Sequence, residues 1–273
     1  MSKEKIVLNI IKRIESKLDN KENISVSDVA SISGFTKRYM QKIFKEQVHL
    51  TISSYIKRRR LTKAAILIKL TKKSFYHIAM DLHFSTQQSF TRAFSREFNV
   101  SPLHFRNSAY FDCSKLLPNL SLKLKEYKIK KTRLSTFKLK ALSFNLKIGL
   151  LNNNSTRADK FRFSEVNSIL SKREEAIIVT TLKPDSKLEN TVLLNIKIGF
   201  KDDANFNFVA HNMPCWEISF SGSWDDYRTF GYNFLISLEF NATTYFIEKI
   251  KNHNKKGNDV YYDAKIYIPV EIN

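Results

Sequence analysis

One pattern is written twice between Ile24 and Phe105, about fifty residues apart, and it constrains the fold more than any other feature of the chain. The first copy runs Ala30-(x3)-Gly34-Phe35-Thr36-Lys37-Arg38-Tyr39-Met40-Gln41-Lys42-Ile43-Phe44. The second runs Ala79-(x3)-His83-Phe84-Ser85-Thr86-Gln87-Gln88-Ser89-Phe90-Thr91-Arg92-Ala93-Phe94. With one extra residue allowed in the second copy, Met40 falls on Phe90, Lys42 on Arg92, Phe44 on Phe94, Val48 on Phe98, Leu50 on Val100, Thr51 on Ser101 and Tyr55 on Phe105. Apolar meets apolar and base meets base, so both copies should adopt one local fold.

That fold reads as helix-turn-helix. Ser25-Val26-Ser27-Asp28 fits a capping box, in which a Ser oxygen and an acid three residues on satisfy the free amides of a helix start. Helix 26–33 follows, Gly34 suits the left-handed residue that stops it, and Thr36 can cap the next helix. From 36 to 46, Met40, Ile43 and Phe44 form one stripe, and Lys37, Arg38, Gln41 and Lys42 face away from it. Segments 74–82 and 86–98 repeat the arrangement with Gln87, Gln88, Ser89 and Arg92 outward. His83 stands where the first copy has Gly34, and His tolerates the left-handed region better than bulky residues do. Before the repeat, Ile6, Ile10, Ile14 and Leu18 share one face of a docking helix. Between the copies, Ile52 to Leu70 contains no Gly or Pro and reads as one helix. At about 1.5 Å per residue it spans roughly 28 Å, close to the ~34 Å between successive major grooves on one face of B-DNA.

A buried stripe that fixes orientation, with long donors on the free face, is what a helix needs to read base edges. Gln can pair with adenine and Arg with guanine through two parallel hydrogen bonds. The expected contact residues are therefore Thr36, Lys37, Arg38, Gln41, Lys42, Ser85, Thr86, Gln87, Gln88, Ser89 and Arg92. The run Lys57-Arg58-Arg59-Arg60 on the spacer helix is expected to contact phosphate or to pair within the molecule.

Charge agrees with a polyanion partner. The formal net charge is +20, and residues 1–108 carry 21 Lys plus Arg against 8 Asp plus Glu, a net of +13. Residues 115–147 add 10 basic against 1 acidic, whereas 148–273 are close to balance. No apolar run approaches the ~20 residues that span a bilayer, and Met1 to Leu18 lacks the apolar block and cleavage site of a signal peptide. A cytoplasmic protein without membrane attachment is expected, with Cys113 and Cys215 as reduced thiols. The six histidines show no metal-ligand spacing, and no nucleophile elbow, phosphate loop or dinucleotide fingerprint occurs. The expectation is a non-enzyme with no cofactor and no metal.

Ile24 to Asn107 resembles the DNA-binding domain of the AraC/XylS transcriptional regulators. The resemblance rests on Phe84-Ser-Thr-Gln-Gln-Ser-Phe-Thr-Arg-Ala-Phe94 followed by Phe98-(x3)-Pro102-(x2)-Phe105-Arg106. An N-terminal DNA-binding domain followed by a second of about 150 residues most resembles the Rob-like group of that family. The resemblance implies an activator that binds double-stranded DNA as a monomer across two adjacent major grooves. It also implies recruitment of RNA polymerase to stress or drug-resistance promoters. In that group the first recognition helix commonly carries Trp where this chain has Arg38, and Arg where it has Lys42. A ligand- or protein-binding module with only non-specific DNA contact is the alternative.

Residues 109–134, with Pro118 and a dense lysine run, read as a basic linker after a domain of residues 1–108. From 135 to 273 the period changes. Phe137, Leu139 and Ala141 alternate with lysines as in a half-buried strand. Next come a helix at 157–173, strands at 176–182, 192–200 and 215–219, a helix at 225–240, and strands at 244–250 and 263–270. Two successive units of strand, helix, strand, strand predict an α+β domain with antiparallel sheet behind an all-α tandem helix-turn-helix domain. Phe220-Ser-Gly222, Ile266-Tyr-Ile-Pro-Val270 and the element order resemble GyrI-like effector-binding domains. That resemblance implies a groove for a small-molecule effector, with Trp216, Glu217, Trp224, Tyr227 and Tyr245 as candidate ligand contacts. Residues alternate sides along a strand, so Trp216 and Glu217 should not share one groove.

Overall fold

Seven helices come first, with bounds that preserve the repeat: α1 (Lys3–Asp19), α2 (Val26–Ser33), α3 (Lys37–Val48), α4 (Ile52–Leu70), α5 (Phe75–Asp81), α6 (Gln87–Phe98) and α7 (Pro102–Asn107). The structure is a computed structural model, and it describes residues 2–33, 35–108, 115–121, 128–149, 156–185, 191–227, 245–252 and 260–269. Capping repeats with the helices. Ser25 and Ser74 accept from the amides of Asp28 and His77 at the starts of α2 and α5. Thr36 and Thr86 cap α3 and α6, and Thr51 and Ser101 cap α4 and α7. Both α3 and α6 end on a left-handed residue, His49 at φ 58° and Asn99 at φ 62°. The turn after α5 is left-handed at His83, as expected (φ 58°). The His83 and Phe84 amides close it by donating to the carbonyls of Met80 and Ala79. Its counterpart Gly34 lies outside the described residues.

Helix α4 belongs to both units. In the first it packs with α1 and α3 around Ile14, Met40, Ile43, Phe44, Ile52 and Tyr55. In the second it packs with α5, α6 and α7 around Leu61, Ile68 and the edge-on aromatic series Phe90, Phe94 and Phe105. The arginine run on α4 folds inward. Arg59 forms a two-pronged pair with buried Glu15 of α1 (2.7 and 2.8 Å), Arg58 pairs with Glu97 of α6 (2.8 Å), and Arg60 donates to Asn23 (2.9 Å). Of the two expectations for that run, these three arginines meet intramolecular pairing, and Lys57 stays exposed. A second tie joins the units, because Lys21 pairs with Asp81 (2.8 Å) while its carbonyl bonds the His83 ring (2.8 Å).

The chain then crosses α4. Arg59 donates to the Leu117 carbonyl, the Leu117 amide donates to Thr62 (2.9 Å), and Leu117 and Leu120 pack on the first core. The second domain consists of β1 (Lys128–Leu134), β2 (Phe137–Gly149), α8 (Thr156–Leu170), β3 (Ala176–Pro184), β4 (Thr191–Lys201), β5 (Phe208–Ala210), β6 (Met213–Gly222), β7 (Tyr245–Asn252) and β8 (Tyr262–Pro269). The two expected strand, helix, strand, strand units are β2-α8-β3-β4 and β6 to β8, joined through the β3–β7 pair. Of the helix expected at 225–240, all beyond Tyr227 lies outside the described residues.

Two strands were not legible. The linker expected over 109–134 ends earlier, because Lys128–Leu134 is strand β1, antiparallel to β6. Its first four residues are all exposed, so it lacks the alternation that marks a half-buried strand. The other is β5, three residues long.

Both strands explain the sheet's shape. The sheet order is β1-β6-β8-β7-β3-β4-β2-β5, with every pair antiparallel. Only two residues separate β1 from β2, and two separate β5 from β6, yet these neighbours lie at opposite ends of that order. The register Leu134↔Met213 continues unbroken as Phe137↔Ala210. Two long strands therefore pair on both sides of a shared break, which a flat sheet cannot allow. The sheet curls until its ends meet. Gly199 permits the tight approach of β2, since a Cβ there would lie 2.0 Å from the Lys140 carbonyl oxygen.

Candidate nucleic-acid interface

The two stripes are buried as the repeat predicts. Met40, Ile43 and Phe44 of α3 are at most 1% exposed, and Phe90 and Phe94 of α6 are fully covered. Rotation about each helix then leaves Lys37, Arg38, Gln41 and Lys42 of α3, and Gln87, Gln88 and Arg92 of α6, exposed. Among the described residues none of these seven side chains forms a hydrogen bond or ion pair with another. The acids of the same helices are occupied elsewhere, Glu46 by Lys3 (3.5 Å) and Glu97 by Arg58 (2.8 Å). Each free face therefore presents long donors without a carboxylate to compete for them.

Four of the expected residues have other work at the helix starts. The Thr36 hydroxyl accepts from the Tyr39 amide (3.3 Å). Thr86 accepts from the Ser89 amide (3.0 Å), and Ser89 accepts from the Thr86 amide (3.2 Å) while donating to the Thr86 carbonyl (2.8 Å). Ser85 donates to Ser89 (3.2 Å). These hydroxyls fix the first turn of each helix and so the aim of the donors behind them. Two exposed bases not singled out from sequence, Lys45 and Arg96, extend the faces by one turn. Their signal was spacing: each lies four residues beyond a chosen donor, Gln41 or Arg92.

In the second domain the candidate ligand residues separate. Trp216 packs toward the α8 side of the sheet and lies under the Lys131 ammonium (5.0 Å), whereas buried Glu217 points to the other face, between Lys130 (3.3 Å) and Lys265 (3.6 Å). The expected alternation holds, so the two cannot form one site. Trp224 and Tyr227 do come together, at 5.4 Å, joined by Tyr262 and Phe163. The Tyr245 side chain lies outside the described residues. The carboxylate beside this aromatic cluster is Glu248, which sequence reasoning missed; it is gripped by Arg162 (2.8 Å to both oxygens) and by the Tyr227 hydroxyl. Burial pushes the Tyr227 hydroxyl well above its usual range, and the Glu248 charge pushes it further. The Arg162 guanidinium loses by burial and gains more from Glu248, ending above its ordinary value. This carboxylate is already neutralised, whereas a site for a cationic ligand needs an acid whose charge is still free. A separate groove of about 660 Å³ is lined by Ile6, Ile10, Lys12 and Arg13 of α1, by Val29 of α2 and by Phe35.

Two helix-turn-helix units on a shared spacer helix define a helix-turn-helix DNA-binding protein. Residues 29–108 match the family described as a helix-turn-helix domain. The regulatory protein SoxS of Escherichia coli K12 is 39% identical over 107 residues, 39% of this chain and 98% of SoxS. The HTH-type transcriptional regulator YkgA of the same organism is 38% identical over 123 residues, 45% of this chain and 51% of YkgA. The transcriptional regulator Rob of Salmonella typhimurium LT2 is 33% identical over 122 residues, 45% of this chain and 42% of Rob. The chain thus spans about half of YkgA and less than half of Rob, but almost all of SoxS. It belongs to the AraC/XylS family of transcriptional regulators and is a DNA-binding transcription regulator.

Proposed function

We propose that the protein binds as a monomer across two successive major grooves and recruits RNA polymerase to stress-response or drug-resistance promoters, with the second domain, from β1 onward, adjusting that activity. The observation that carries this reading is the pair of donor faces on α3 and α6, held on one rigid helix, α4. Arg92 reads guanine, and Gln87 and Gln88 read adenine or neighbouring phosphate, in one groove. Arg38, Gln41 and Lys42 take the same part in the other, while Lys37, Lys45 and Arg96 meet the backbone. Thr36, Ser85, Thr86 and Ser89 set the angle of entry. Footprinting on a selected site tests the reading directly: protection should cover two patches about one helical turn apart on one face of the duplex. Protection of a single groove, or affinity that depends steeply on salt but not on sequence, would instead support a module with only non-specific DNA contact.

We also infer that the second domain is a Rob-like, GyrI-like regulatory domain. Its aromatic group of Phe163, Trp224, Tyr227 and Tyr262 supports a binding role for an apolar effector or partner. The pairing of Glu248 with Arg162 argues against a cation there.

A further inference from the structure

The sheet face turned away from α8 gathers lysines from several strands. The second domain, 128–273, holds 22 Lys plus Arg against 16 Asp plus Glu, and β7 and β8 set Lys249 directly opposite Lys265. Like charges so placed repel and destabilise a sheet. The Lys249 ammonium lies 4.7 Å from the centre of the Phe137 ring and 5.2 Å from that of Tyr267. The Lys201 ammonium stands 5.9 Å from the same Phe137 ring. Three cations therefore converge where the curled sheet brings β2, β4, β7 and β8 together.

The carboxylates near them are already shared out. Glu217 is divided between Lys130 (3.3 Å) and Lys265 (3.6 Å) and also bonds the Tyr267 hydroxyl. Glu175 is divided between Lys201 (3.8 Å) and Lys251 (3.7 Å), and Asp263 faces Lys251 across the β7–β8 pair. Among the described residues Lys249 has no carboxylate within ion-pair distance. It is half-buried. Burial first, then the Lys201 charge, hold its amine below the usual lysine range; Glu175 opposes them, Lys265 adds a smaller push down, and Glu217 opposes least.

We propose that Lys201, Lys249 and Lys265 form an oxyanion-binding site for a small ligand bearing a dianionic group, a phosphate monoester or a polycarboxylate. A dianion among them replaces repulsion by attraction, and the Phe137 and Tyr267 rings keep water from one side, so each contact is less screened than on an open surface. The site lies on the opposite face of the sheet from the aromatic group around Trp224, and it does not depend on how α3 and α6 meet DNA.

The test uses the full chain with inorganic phosphate as the probe, at constant ionic strength balanced with chloride. Phosphate should raise the unfolding temperature saturably and should protect Lys249 from limited acetylation read by peptide mapping. Lys249→Gln should weaken the apparent phosphate affinity at least tenfold and Lys249→Arg should largely restore it, whereas Lys172→Gln, at an exposed lysine elsewhere in the domain, should leave it unchanged. Should Lys249→Gln fail to fold, protection of Lys249 in the unaltered chain still decides the matter. Unprotected lysines at saturating phosphate, or unchanged affinity in folded Lys249→Gln, would overturn the site. So would lysine variants that lower the salt dependence of DNA binding without changing phosphate affinity, because the face would then be a DNA track.

Discussion

The two helix-turn-helix units share a backbone plan and differ in how their cores are closed. Both place an edge-on aromatic pair at equivalent positions, Phe44 with Tyr55 (5.7 Å, 69°) in the first and Phe94 with Phe105 (5.4 Å, 77°) in the second. The difference is one phenolic oxygen. A buried hydroxyl needs a partner, and Tyr55 donates to Glu15 (2.8 Å), whose charge is in turn met by Arg59. The second unit closes with Phe98 and Phe105 and needs no such chain. The same fold therefore tolerates two core chemistries, but the first makes stability depend on a charge pair that must stay whole.

The largest expected effect breaks that pair. Arg59→Ala leaves Glu15 buried without its counter-charge and should cost about 3–5 kcal/mol in denaturant unfolding. Replacing the network together, as Glu15→Met, Tyr55→Phe and Arg59→Met, should cost much less, because no buried charge is then stranded and only the part-buried Leu117 carbonyl and Leu120 amide lose a partner. A triple variant as unstable as the single one would mean that packing, not charge, distinguishes the units. Acid supplies an independent check. Burial pushes the Glu15 carboxyl up, but Arg59, with Lys63 and the Tyr55 hydroxyl, overcomes this and holds it below the ordinary range. A depressed carboxyl contributes stability that is complete above the unfolded value, about 4.3, and is lost as pH falls through the folded one. Unfolding measured from pH 6 to 3 should therefore fall more steeply in the unaltered protein than in the triple variant.

On the outer faces the expected effects are smaller. Arg92→Ala should weaken binding to a selected site by about 1–3 kcal/mol and relax base preference in its half, as loss of a two-pronged contact does. Arg38→Ala should do the same in the other half. Electrophoretic titrations against specific and random duplexes separate base reading from phosphate contact. Equal loss on both would assign the arginine to the backbone.

The units were legible because their signals are local. A capping serine, an apolar stripe and a left-handed stop each lie within a few residues, so α1 to α6 could be placed from the chain alone. What was not legible joins distant residues. Glu15 meets Arg59 across 44 positions and Arg162 meets Glu248 across 86, and no periodicity points from one to the other. Strand β1 was hidden because exposed lysines erase alternation, although its partner β6 was plain. In the interface, the donors Arg38, Gln88 and Arg92 could be chosen from helical rotation. That Thr86 and Ser89 serve each other first needed the hydrogen bonds of the folded turn.

That turn carries the smallest effect and the closest contrast between the units. Helix α6 starts with a reciprocal cap, whereas at the start of α3 the Thr36 hydroxyl accepts a single amide. Thr86→Ala strands the Ser89 amide and should cost about 1 kcal/mol of stability. Thr36→Ala should cost a few tenths less, because its bond is the longer one (3.3 against 3.0 Å) and stands alone. If these hydroxyls only aim the helices, both variants should weaken specific and random DNA binding in the same proportion. A change of base preference in Thr86→Ala would show that the hydroxyl, besides capping, reaches a base edge.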